Sequence, residues 1–150
     1  MTLFVVFLFL AIYNAGNMTT LQLQHYGIYP AVPKEGFAEY LRANNRAALL
    51  PTIMPAILLL LTSVALVFFR PAFVTTFEGA AAFWLNFFAF MSTALWQRRL
   101  QGDMALTGYN EEKIRLLIRT NWIRTISYWL LSALAISILV RVLRTGVGTA

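Results

Sequence analysis

The sequence predicts an all-α integral membrane protein, a bundle of four transmembrane helices, and three observations carry that expectation. Of 150 residues, 59% are hydrophobic and only 12% charged, with a mean hydropathy of +0.67, a balance that suits lipid rather than water. The apolar residues fall into long runs, and at roughly 20 residues per crossing the length accommodates about four crossings. The twelve Lys and Arg residues sit at the ends of those runs, where a spanning helix keeps its charge. A single transmembrane domain over residues 1–150 is expected, with no room for a separate soluble catalytic domain.

The first crossing is expected over about residues 2–25. Leu3 to Ile12 is apolar, but so short a run cannot cross a hydrocarbon core about 30 Å thick. The helix must therefore continue toward Gln24 or His25, carrying Asn14, Asn17, Thr20 and Gln22 into or near the membrane. Asn14 and Asn17 lie one turn apart, and Ala15 and Gly16 beside them would permit a neighbouring helix to come close. No basic residue precedes the run and no small-x-small site follows it, which reads as a retained helix rather than a cleaved leader.

Gly27, Pro30 and Pro33 break that helix. Between Gly36 and Ala48, Phe37, Tyr40, Leu41 and Ala48 stand at helical spacing with charges between them, as in a short interfacial helix before the second crossing. The second crossing is expected over 47–69, with Pro51 and Pro55 in its first turns, each removing a backbone donor and favouring a kink. Thr75 and Glu78 match the capping box, so a third crossing should begin there and run over 76–98. Gly102 and Gly108 bracket a polar turn, and Asn110, Glu111 and Glu112 supply a cap and first-turn acids for a fourth helix over 111–143.

Orientation follows from where the positive charge falls. Lys34, Arg42, Arg46, Arg98, Arg99, Lys113, Arg115, Arg119 and Arg124 belong to one side, and Arg70, Arg141 and Arg144 to the other. The positive-inside rule then makes loops 26–46 and 99–112 cytoplasmic and both termini external, in what is expected to be a bacterial inner membrane. Tyr26, Tyr29, Tyr40, Trp96, Tyr109 and Trp122 collect at the same interface, where amphipathic rings are favoured.

Several chemistries are excluded or made improbable by composition. Cysteine is absent and His25 is the single histidine, so thiolate sites and a conventional metal centre are not expected. The net charge of +6 is spread over helix ends rather than gathered on one soluble face, which favours anionic lipid headgroups over nucleic acid. No Walker loop, dinucleotide glycine pattern or nucleophile elbow occurs. No carboxylate falls mid-membrane, which argues against an ion-coupled transporter. No cofactor is predicted, and pigment, quinone and haem stay open.

Polar groups are costly in lipid unless paired, and here they concentrate toward one end. His25, Asn45, Arg46, Gln97, Asn121 and Arg124, with Gln22, Gln24 and Asn44, all approach the cytoplasmic leaflet if the helices alternate. On the fourth helix Asn121, Arg124, Thr125, Tyr128 and Ser132 share one face, which should look into the bundle. The functional reading is a pocket in which Arg124 and Arg46 bind an anionic or carbonyl-bearing ligand, such as a lipid headgroup or a quinone. The plainer reading is interhelical hydrogen bonding plus snorkelling arginines, with His25 an interfacial, hydrogen-bonded side chain.

The segment from Ile114 to Thr125, with Asn-Trp-Ile-Arg-Thr at Asn121 to Thr125 and Trp129 after it, resembles the small four-helix bacterial membrane proteins of the anthrone-oxygenase-like domain of unknown function family. The resemblance covers the C-terminal third, and elsewhere extends only to hydropathy and Asn45-Arg46. It implies a shared polar site at Asn121, Trp122, Arg124 and Thr125, and an aromatic or quinone-like substrate. The family pattern has a histidine near the end of the third helix, where this chain has Gln97. The expectation from the residues themselves is a non-catalytic accessory or stabilising subunit of a larger membrane complex, with lipids and other membrane subunits as partners. An enzyme or small-molecule binder is the alternative.

Overall fold

The computed structural model of the chain describes residues 1–146. The expected external C-terminal tip, residues 147–150, lies outside the described residues. Helix α1 spans Thr2–Thr20 and runs on through a π turn, Leu21–His25, into a 3-10 segment, Tyr26–Ala31. Helix α2 is Phe37–Ala47, and a second π turn, Leu49–Ile53, leads into α3, Met54–Phe68. Helix α4, Thr76–Ser92, passes through a third π turn, Thr93–Gln97, into α5, Arg98–Thr107, and α6 is Glu111–Thr145. Four of these stretches are long and apolar enough to cross a membrane: Thr2–Ala31, Leu49–Phe68, Thr76–Thr107 and Glu111–Thr145.

The four crossings form a ring in which α1 packs on α3 and α6, and α4 packs on α3 and α6. Their directions alternate. Asn14 and Asn17 meet Pro55 and Pro51, Thr93 and Gln97 meet Arg124 and Thr120, and Thr19 and Gln22 meet Trp129 and Asn121. The central core includes Phe4, Phe7, Leu59, Leu66, Leu131 and Ile138. A second core, of Tyr26, Tyr29, Phe37, Leu41, Met104, Ile114 and Leu117, closes the end of the bundle with α2 and α5.

Both predicted caps are present. The Thr75 hydroxyl accepts from the Glu78 backbone N–H at 3.2 Å while the Glu78 carboxylate accepts from the Thr75 N–H at 2.8 Å. Asn110 Oδ1 accepts from the Lys113 N–H at 3.0 Å. Glu78 has a further partner, Arg141, whose two Nη atoms donate to its carboxylate oxygens at 2.7 and 2.9 Å and tie α4 to α6 at the end opposite the second core.

Other expectations need correction. The first crossing does not stop at residue 25 but continues to Ala31, because Tyr26 and Tyr29 turn inward. Both rings are buried in the second core, where Tyr29 stands edge-on to Tyr26 and Phe37, with ring centres 5.4 and 5.8 Å away. The third helical stretch ends at Thr107 rather than near 98, and Gly102 lies inside α5 instead of in a turn. Only Gly108 turns the chain there, at φ 88°, a conformation that a side chain would oppose. The fourth helix extends two residues further than expected, to Thr145.

Gly16 is not a close-packing point, since a Cβ there would meet nothing within 4 Å. Gly79 is one. Its Cβ would stand 3.2 Å from the Leu66 carbonyl oxygen, so α3 and α4 approach closely where the side chain is missing.

Candidate functional site: an arginine-bearing cavity among the crossings

Beneath the second core the crossings part around a cavity of about 690 Å³, lined by residues of all four and of α2. The backbone explains the space. All three π turns lie against it, contributing Leu21 and His25 from the first, Leu49, Thr52 and Ile53 from the second, and Thr93, Ala94 and Gln97 from the third. A π turn holds an extra residue per hydrogen-bonded ring, which widens the helix locally, and such turns recur at functional sites.

In the second crossing prolines account for the departure from α geometry. Pro55 has no N–H to give the carbonyl of Pro51, four residues earlier. That carbonyl instead accepts from the Tyr13 hydroxyl at 2.9 Å and from Asn17 Nδ2 at 3.0 Å. Asn14 Nδ2 donates to the Pro55 carbonyl at 3.2 Å. Tyr13 and Asn17 of α1 thus satisfy the Pro51 carbonyl that Pro55 leaves free.

Arg124 is the dominant charge in the cavity wall. Its side chain is only 5% exposed. Nη1 donates to Thr93 Oγ1 at 3.3 Å, Nη2 lies 2.9 Å from Met18 Sδ, and Nε has no partner. Among the described residues the ion pairs are Lys113 with Asp103, Arg115 with Glu111 and Arg141 with Glu78, so no carboxylate reaches Arg124. The cavity wall contains Arg98 as well, and no Asp or Glu. A buried cation facing neutral groups is an expensive arrangement.

Gln97, His25, Asn44 and Gln101 in the wall are each held by a neighbouring side chain. Gln97 Nε2 donates to Thr120 Oγ1 at 3.0 Å, while its buried Oε1 has no partner. His25 Nε2 lies 3.0 Å from the Tyr29 hydroxyl, which also accepts from Asn44 Nδ2 at 3.3 Å. Gln101 Nε2 donates to the Tyr26 hydroxyl at 2.9 Å. Among the described residues no group of three or more His, Asp or Glu side chains is placed to hold a metal ion.

Of the residues singled out in the sequence, His25, Asn45, Gln97, Arg124 and Tyr128 line the cavity. Asn121 and Thr125 are buried but do not line it. Asn121 Nδ2 donates to Gln22 Oε1 at 2.7 Å across the α1–α6 contact, and Thr125 bonds back to the Asn121 carbonyl at 3.3 Å. Arg46 and Trp122 do not join the site. Arg46 is exposed on α2, and Trp122 points outward, edge-on to Trp129 with ring centres 6.0 Å apart. Met18 and Thr93, the two neighbours of Arg124, carried no polar signal strong enough to mark them in the sequence.

Compared with protein-family models, with curated proteins and with solved structures, the chain matches none of them.

Proposed function

We propose that the chain binds a small amphipathic molecule inside the membrane, its carbonyl or anionic head against Arg124 and its apolar part toward α3 and α4. The observation that carries this reading is a buried arginine, without a carboxylate partner among the described residues, in the wall of a cavity of about 690 Å³. Snorkelling does not account for it, because a snorkelling arginine brings its head to water. The volume suits a small molecule. The resemblance to anthrone-oxygenase-like proteins adds aromatic carbonyl compounds and quinones to the ligands to be tried, whether the chain acts on them or only holds them.

The competing reading is an accessory or stabilising subunit of a membrane complex. It is favoured by the outward face of α6, where Trp122, Ile126, Trp129 and Leu130 are exposed. Lipid covers such a face equally well, whereas Arg124 is held only by Thr93 and Met18, with no carboxylate to balance its charge among the described residues. The charge asymmetry supports, by the positive-inside rule, a cavity on the cytoplasmic side with the termini outside, and a bacterial inner membrane is the compartment we propose.

Native mass spectrometry of the chain extracted from its own membranes in a mild detergent tests the proposal. A 17.0 kDa chain carrying a stoichiometric small-molecule adduct is expected. An empty chain held at fixed stoichiometry with other subunits would favour the accessory reading instead.

A further inference from the structure

We infer that the ligand is an acidic amphiphile, with one carboxylate or phosphate head on Arg124 and an apolar chain that enters sideways from the bilayer. This rests on the ligand-binding reading above and adds the ligand's charge and its route in.

The charge follows from the state of the guanidinium. Nε and Nη2 form its side-on fork, the edge that grips two oxygens of a carboxylate or phosphate. Nε has no partner and Nη2 has only the Met18 thioether, a weak acceptor that an anionic oxygen outcompetes. The edge suited to an anion is thus left without an oxygen partner, and since Nε is closed off in the ligand-free bundle, an anion engages both nitrogens by displacing the Met18 side chain. A neutral carbonyl could accept one of these hydrogen bonds but would leave a buried positive charge uncompensated. Arg98 in the same wall, and the lack of any acidic lining residue, push the preference the same way.

The route in follows from which lining residues are exposed. Leu49, Ile53 and Ile57 repeat every four residues along the second crossing, line the cavity and are exposed. Phe90 on α4 does the same. These apolar side chains lie within the spans Leu49–Phe68 and Thr76–Thr107, so the cavity opens toward acyl chains. A free anion would find no polar approach on that side and would have to enter past Arg98 and Gly102, the exposed lining residues at the other edge.

The test titrates the intact chain in a neutral maltoside detergent with dodecyl phosphate, dodecanoate, dodecanol, inorganic phosphate and decylubiquinone, reading heat of binding and melting temperature. Dodecyl phosphate or dodecanoate is expected to bind saturably at one per chain, at least about tenfold more tightly than dodecanol. Arg124→Gln should remove that margin, and Arg124→Lys, which keeps the charge but not the fork, should restore only part of it. Ile53→Trp, which narrows the side opening and leaves Arg124 untouched, should weaken both dodecyl anions and serves if the Arg124 variants do not fold. Inorganic phosphate binding as tightly as dodecyl phosphate would overturn the bilayer route and indicate a free-anion site. Decylubiquinone or dodecanol binding in preference to the anions would overturn the acidic head while leaving the ligand-binding reading intact. If no probe binds, the acidic-amphiphile inference fails, and an adduct-free native mass spectrum would show separately whether the broader reading fails with it.

Discussion

Arg124 on α6 lays its Nη2 2.9 Å from the Met18 sulfur on α1, so the charged side chain buried in the bundle rests on a weak acceptor. A contact of that kind does little to offset burial of the charge. Arg124→Met should therefore stabilise the ligand-free protein in detergent, by about 1 kcal/mol or more. Denaturant or thermal melts of the two forms, after exchange to remove bound amphiphiles, provide the comparison. Destabilisation by several kcal/mol would mean that Arg124 serves the packing of the bundle.

The close approach of α3 and α4 gives a second prediction. Gly79→Ala places a methyl 3.2 Å from the Leu66 carbonyl and is expected to cost about 1–3 kcal/mol as the helices move apart. Gly16→Ala meets nothing and should be neutral or stabilising by about 0.5–1 kcal/mol, the usual gain of Ala over Gly in a helix. Melting curves that ranked the two variants in the reverse order would contradict the packing.

Gln22 and Asn121 should be energetically coupled across the α1–α6 contact. In a double-mutant cycle with Gln22→Ala and Asn121→Ala, a coupling of about 0.6 kcal/mol and at most about 1.7 kcal/mol is expected, the average and the upper end for interhelical hydrogen bonds in membranes. Strict additivity of the two single changes would show that the bond contributes no net stability.

Topology is open to a clean labelling experiment because the chain contains no cysteine. With Glu35→Cys and Ala72→Cys made separately, an impermeant maleimide added to intact cells is expected to label the second and spare the first. The opposite pattern would invert the bundle and place the Arg124 cavity near the outer leaflet.

Features set by local rules were legible in the sequence. The caps at Thr75 and Asn110 act over three residues, and the inward face of α6 follows from the 3.6-residue repeat, so Asn121, Arg124, Thr125, Tyr128 and Ser132 are all buried. That repeat also turns Trp122 away from Arg124, although the two are neighbours in the same short motif. Relationships between distant segments were not legible. The Arg141–Glu78 pair joins positions 63 residues apart, the Met18 contact joins positions 106 apart, and neither has a sequence pattern to announce it. The π turns were only half visible, since Pro51 and Pro55 warned of a broken ladder while Leu21–His25 and Thr93–Gln97 contain no proline. Arg46 looked equivalent to Arg124 because charge and approximate depth can be counted, whereas the direction in which α2 faces depends on its packing over Tyr29 and Met104.

The most direct test is an experimental structure of the protein purified from its own membranes with its native amphiphiles retained. Non-protein density is predicted inside the cavity, with its head within hydrogen-bonding distance of Arg124 Nε and Nη2 and its tail leaving past Ile53 and Phe90. A collapsed cavity, or a carboxylate from another subunit seated on Arg124, would contradict the account.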